Sequence, residues 1–123
     1  MAKTATSIEK LHNIQYDRSS YTDVQLLELY RGILLPRMIE DKMLILLRQG
    51  KISKWFSGIG QEAISVGGTM ALNKTDYILP LHRNLGVFTN RGMKLGQLFA
   101  QWQGSREGFT KGRDRSSHSG SPE

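Results

Sequence analysis

The stretch TDVQLLELYRGILLPRMIEDKMLILLRQG, residues 22–50, decides the fold, because it predicts one long helix in a chain of 123 residues. Thr22 and Gln25 have the spacing of a capping box, in which each side chain accepts from a backbone N–H of the other residue. Apolar side chains then recur at helical spacing, and Asp41 interrupts the series. The series is Leu27, Tyr30, Leu34, Met38 and Ile45. Gly50 is the predicted end of the helix, because glycine readily adopts the left-handed conformation there.

Pro36 lies inside this stretch and leaves two interpretations open. Proline has no N–H to donate to the carbonyl of Gly32, so a single helix would be kinked here. Alternatively, two helices meet at Leu35. Residues 44–47 read LILL, which is apolar on every face of a helix and predicts burial against something larger than this chain, such as a partner.

The rest of the chain predicts shorter helices and one strand. The helices are expected at 61–72, 84–91 and 94–103. Small residues in the first of them would let another backbone approach closely: Ala63, Gly67, Gly68 and Ala71. Residues 77–81, YILPL, are the strand candidate, although one strand needs neighbours for its backbone groups. The predicted fold class is mostly α with one short strand.

Composition divides the chain into three segments. Residues 1–20 are polar and aperiodic and are expected to form a mobile amino-terminal arm. Residues 21–103 form the helical region with its strand. Residues 104–123 combine Gly, Ser and charged side chains and are expected to be a disordered loop or tail.

The net charge of +6 favours anionic partners. Nucleic-acid binding is nevertheless not expected, because no run of five Lys or Arg and no RNA-binding or zinc-finger motif occurs. The absence of cysteine excludes disulfides and thiolate metal sites and fits the cytoplasm. No apolar run approaches the length of a membrane span.

His82 and Arg83 follow the strand candidate directly. Ligands of α/β sheets bind outside the carboxyl ends of strands, and the planar guanidinium of arginine suits phosphate. A phosphate ligand would therefore explain this pair. The alternative is that Arg83 is exposed to solvent or pairs with Asp76 or Glu62.

Residues 111–120, KGRDRSSHSG, have the composition of an anion-binding loop. Lys111 and Arg113 supply charge, Gly112 permits unusual backbone angles, and His118 adds a titratable group. The alternative is a disordered basic tail. The three histidines of the chain lack the spacing of metal ligands.

Glu62 stands at the predicted start of a helix, where the helix dipole favours an acidic residue. It is therefore expected to cap that helix, and the alternative is a general acid or base.

Four ordered blocks of sequence together resemble one enzyme family. They are LYRGILLPRMIEDKMLILLRQGKI (29–52), GIGQEAISVGGTMAL (58–72), DYILPLHRNLG (76–86) and KGRDRSSHSG (111–120). The chain resembles the alpha subunit of the thiamine-diphosphate-dependent 2-oxo acid dehydrogenases, which include the pyruvate, branched-chain and acetoin enzymes.

The resemblance implies oxidative decarboxylation of a 2-oxo acid on thiamine diphosphate, with acyl transfer to a lipoyl group on an acyltransferase. It implies an active site between alpha and beta subunits of a heterotetramer. It also implies that the chain is an amino-terminal fragment of an α/β thiamine-diphosphate-binding fold. The family's magnesium-binding Gly-Asp-Gly motif is absent from these 123 residues, so no catalysis is expected from the chain alone. The alternative is a stand-alone helical protein-binding module derived from that family.

The resemblance also assigns site residues. Arg83 matches the arginine that contacts the cofactor diphosphate, and His82 stands beside it where the family usually has Tyr. Lys111 and Arg113 match the loop that lines the cofactor. His118 matches the active-site histidine of the same loop, and is the catalytic candidate.

Overall fold

The computed structural model describes residues 15–114, which form four helices. They are α1 (Asp23–Arg48), α2 (Glu62–Met70), α3 (Leu85–Asn90) and α4 (Leu95–Gln103). None of these four helices combines the length and the apolarity that a membrane span requires.

The first helix begins and ends where the sequence predicts. Thr22 Oγ1 accepts from the Gln25 N–H at 3.3 Å, and Gln25 Oε1 accepts from the Thr22 N–H at 2.9 Å. These two bonds confirm the capping box. The helix continues through Pro36, so the interpretation as two helices is wrong. Gly50 follows the helix with a φ of +68°, where glycine is strongly preferred.

The predicted apolar series of α1 does not form the core. Its members are exposed, with Leu27 at 53%, Tyr30 at 60% and Met38 at 60%. A different face of the helix is buried, namely Pro36, Ile39, Glu40, Met43 and Leu46. The helix therefore has two apolar faces, and within residues 15–114 one of them is covered.

The core lies where α1, α2 and α3 pack against one another and where α4 adds Leu98 and Trp102. Met43 of α1 is fully buried at its centre. The backbone of α3 lies close to side chains of α2 at Gly86, where an added Cβ would lie 2.4 Å from Ser65 Oγ. The sequence predicts a close approach at Ala63, Gly67, Gly68 and Ala71, but an added Cβ at either glycine meets nothing within 4 Å.

Residues 77–81 do not form the predicted strand. Tyr77 and Leu79 are 98% and 99% exposed, and the segment has no strand neighbour among residues 15–114. An extended segment becomes a strand by sharing hydrogen bonds with another one, which explains the error. The mostly helical part of the prediction is confirmed, whereas an α/β fold is not shown by the described residues.

Candidate functional site

His82 and Arg83 lie against the loop of residues 51–60. The rings of His82 and Phe56 are 4.6 Å apart between centroids and tilted by 58°. Arg83 Nη1 donates to the Ser57 carbonyl at 3.5 Å, a long hydrogen bond. The Arg83 side chain is exposed. The structure thus presents an accessible guanidinium beside an aromatic pair, which is an arrangement suited to an anionic ligand.

A buried carboxylate holds this loop in place. Glu40 of α1 is 1% exposed. Its Oε1 accepts from the Gly58 N–H at 2.8 Å, and its Oε2 accepts from Trp55 Nε1 at 2.7 Å. An added Cβ at Gly58 would lie 2.1 Å from the Arg83 carbonyl oxygen, so the loop approaches Arg83 this closely because residue 58 is glycine.

A second carboxylate fixes the end of the same loop. Glu62 Oε1 accepts from Arg37 Nε at 2.6 Å, and Glu62 Oε2 accepts from the Gly60 N–H at 2.9 Å. The hydrogen bond from the Arg37 side chain lowers the pKa of Glu62 and raises that of Arg37. The carboxylate is therefore held ionised, which favours a structural role over proton transfer.

These contacts bear on whether Arg83 pairs with Glu62 or Asp76. Glu62 pairs with Arg37 instead, and Asp76 Oδ2 accepts from the Asn73 N–H at 2.8 Å. Neither predicted ion pair of Arg83 is formed, and its side chain is exposed, which is compatible with phosphate binding; that binding stays a prediction.

Lys111 and Arg113 lie in a separate loop that a buried glutamine holds. Gln101 of α4 is 1% exposed. Its Oε1 accepts from the Thr110 N–H at 2.9 Å, and its Nε2 donates to the Asp114 carbonyl at 2.7 Å. Lys111 and Arg113 themselves are exposed.

The Lys111–Gly112 turn has positive φ angles of 54° and 81°. Such angles are uncommon for lysine. An added Cβ at Gly112 would lie 2.8 Å from the Gly104 carbonyl oxygen, so glycine is also required there by space.

Consecutive residues of α4 connect the two loops. Trp102 contacts Trp55 edge to face, with ring centroids 5.0 Å apart. Gln101, the preceding residue, holds Thr110. The loop beside Arg83 and the loop of Lys111 are therefore anchored to the same turn of one helix.

Glu40 and Gln101 are the supporting residues that sequence reasoning missed. Each is a polar residue within the buried face of a helix, Glu40 next to Ile39 and Gln101 next to Trp102. A buried polar side chain requires hydrogen-bond partners, but which face of each helix is buried is known only from the structure. His118 lies outside the described residues. Among residues 15–114, no group of three or more acidic or histidine side chains is arranged to hold a metal ion.

Comparison with known proteins gives consistent matches. Residues 30–122 match the family model described as "Dehydrogenase E1 component". The chain is 37% identical over 87 residues to the "Pyruvate dehydrogenase E1 component subunit alpha" of Mycoplasma genitalium, covering 71% of this chain and 24% of that protein. It is 39% identical over 97 residues to the "2-oxoisovalerate dehydrogenase subunit alpha" of Bacillus subtilis, covering 78% and 28%.

The chain thus spans about a quarter of the length of these curated relatives. No solved structure matches it. The family model nevertheless covers most of the chain and includes both loops described above. The chain belongs to the dehydrogenase E1 component family and is similar to the alpha subunits of its 2-oxo acid dehydrogenases.

Proposed function

We propose that this chain supplies part of the thiamine diphosphate site of a 2-oxo acid dehydrogenase, with Arg83 as the contact to the cofactor diphosphate. The observation that carries the proposal is the exposed Arg83 guanidinium, held beside the Phe56–His82 pair by the Glu40-anchored loop. When bound, thiamine diphosphate supplies the carbanion stabilisation that lets a 2-oxo acid lose carbon dioxide.

The residues present fit the cofactor in part. Arg83 offers a planar set of donors to a diphosphate, and His82 lies next to it with its ring packed on Phe56. Lys111 and Arg113 add exposed positive charge in the second loop. The magnesium ion is different, because residues 15–114 contain no acidic cluster that could hold it. We therefore assign it no ligand among the described residues.

The role of each group follows from its chemistry. Arg83 would bind and orient the diphosphate, and Lys111 and Arg113 would add attraction for its negative charge. His118 would be the catalytic residue of the second loop, as the family resemblance implies. The loop anchors Glu40 and Gln101 would position these groups without touching the cofactor.

The proposed partners are the beta subunit and the lipoyl-bearing acyltransferase of the complex. The chain alone is proposed to be inactive, since the family's magnesium-binding motif is absent from its sequence. The cytoplasm is its proposed location.

The test is the variant Arg83→Ala in a complete alpha–beta assembly that carries this chain, with cofactor binding measured by calorimetry. Loss of charged hydrogen bonds costs about 1.5–3 kcal/mol, so the dissociation constant should rise by about 10- to 100-fold. Arg106→Ala is the matched control. Arg106 is also exposed, but it belongs neither to the group of His82 and Arg83 nor to the turn of Lys111 and Arg113. Equal cofactor affinity in Arg83→Ala and the control would refute the proposal.

A second candidate function is a helical protein-binding module. The exposed apolar face of α1 favours it, because such a face is usually covered by a partner. A chain that binds no cofactor in any assembly, but binds another protein through α1, would support this alternative.

A further inference from the structure

The exposed face of α1 has the spacing of a coiled-coil seam. We call it the α1 stripe. It contains Val24, Leu27, Arg31, Leu34, Met38, Asp41, Ile45 and Arg48. Its members alternate at three and four residues, the spacing of the two core positions of a heptad repeat. Its apolar members are between 37% and 65% exposed, although they belong to a well-capped helix of 26 residues.

The α1 stripe is complementary to itself in the antiparallel direction. We propose that two copies of this chain associate through the α1 stripe about a two-fold axis near residue 36. In that register, each a position of one helix faces a d position of the other helix. The facing pairs are Leu27 with Ile45, Leu34 with Met38, Arg31 with Asp41, and Val24 with Arg48.

The charged residues of the α1 stripe favour this register over registers shifted by one heptad and over a parallel pair. Arg31 faces Asp41 twice across the axis, once from each copy. A shift by one heptad in one direction places Arg31 opposite Leu34, and a shift in the other direction places it opposite Arg48. A parallel pair would oppose Arg31 with itself and Asp41 with itself. Like charges that face each other are costly and thus help to fix register.

The charged residues beside the α1 stripe are compatible with the same antiparallel arrangement. Glu28 of one copy would lie near Lys42 of the other, which adds an attractive pair at the edge. Arg37 would approach its own counterpart near the axis, but its guanidinium is already bonded to Glu62 of its own chain. This ion pair offsets the repulsion between the two arginines.

The area of the α1 stripe sets the expected strength of the association between two copies. A helical overlap of 25 residues is about 36 Å long and about 10 Å wide, or roughly 400 Å² per copy. Stable complexes bury about 800 Å² per partner. The association should therefore be weak and concentration-dependent. It does not rest on the proposed cofactor role.

Sedimentation velocity of the 123-residue chain, from low-micromolar to near-millimolar concentration, tests the proposal. The mass should rise with concentration from 13.9 kDa towards twice that value. Arg31→Asp alone should weaken association by about tenfold or more, because both copies of the pair become repulsive. The double variant Arg31→Asp/Asp41→Arg should restore it. Lys74→Asp, which makes the same charge change in an exposed loop, should leave association unchanged.

Three outcomes would overturn the proposal. The first is a chain that stays monomeric at every concentration. The second is a double variant that associates no better than Arg31→Asp. The third is a monomeric chain whose α1 stripe binds a dehydrogenase beta subunit and loses that binding in Met38→Lys, which would assign the stripe to that partner. Helical content by circular dichroism checks that each variant is folded.

Discussion

Removing the buried carboxylate of Glu40 should destabilise this protein more than removing any exposed acidic group. Glu40 is 1% exposed, and its two oxygens accept from the Gly58 N–H and from Trp55 Nε1. In Glu40→Ala the buried Gly58 N–H and the half-buried Trp55 Nε1–H both lose their acceptor. A buried unsatisfied donor costs about 1–3 kcal/mol, so the loss should be about 1–3 kcal/mol from the Gly58 N–H and a smaller amount from the half-buried indole.

Comparison of Glu40→Gln with Glu40→Ala separates the free-energy cost of losing one hydrogen bond from the cost of losing both. The amide keeps one acceptor oxygen and turns an NH₂ group towards a donor. One of the two bonds is therefore lost, and the cost should be about 1–3 kcal/mol. A domain of this kind is stable by about 5–15 kcal/mol, so Glu40→Ala should unfold at a much lower urea concentration than the parent chain.

Urea unfolding followed by tryptophan fluorescence measures these changes. The chain has two tryptophans, and Trp55 and Trp102 contact each other next to Glu40. Glu107→Ala and Glu107→Gln are matched controls, because Glu107 is exposed. Surface substitutions of this kind change stability by no more than about 0.5 kcal/mol. The reasoning is refuted if the Glu40 variants unfold at the same urea concentration as the Glu107 variants.

Two further predictions concern the other supporting side chains. The lowered pKa of Glu62 means that its ion pair with Arg37 stabilises the fold above the ordinary pKa of a glutamate and is lost as pH falls through the lowered value. Glu62→Gln should therefore flatten the fall in melting temperature at acid pH, and an unchanged acid dependence would contradict this. Gln101→Ala should speed trypsin cleavage after Lys111, because the loop loses its buried anchor. Gln103→Ala, an exposed glutamine of the same helix, is the control, and equal cleavage rates would count against the anchor.

Much of the helical structure could be predicted from local sequence. The Thr22 capping box and the glycine after α1 depend on neighbouring residues alone, and both are confirmed. The short helices α3 and α4 also lie within the predicted ranges. The strand at 77–81 was wrong because a strand depends on a second segment, which local sequence does not reveal.

The candidate site was predictable in part. Arg83 was singled out from its residue type and its position, and the structure places it at the surface. Its supporting residue Glu40 lies more than forty positions away in sequence. Its role follows from the packing of α1 against the 51–60 loop, and spacing alone could not show that contact. The assignment of His82, Arg83, Lys111, Arg113 and His118 to the cofactor remains a prediction.

The sequence by itself determined where α1 begins and ends, since capping and glycine conformations are local effects. It also determined that residues 44–47 are apolar on every face of the helix. Only the tertiary structure decided which face is buried, because burial depends on which elements pack against the helix. Packing selected the face with Ile39 and Met43 and left Leu27 and Met38 at the surface.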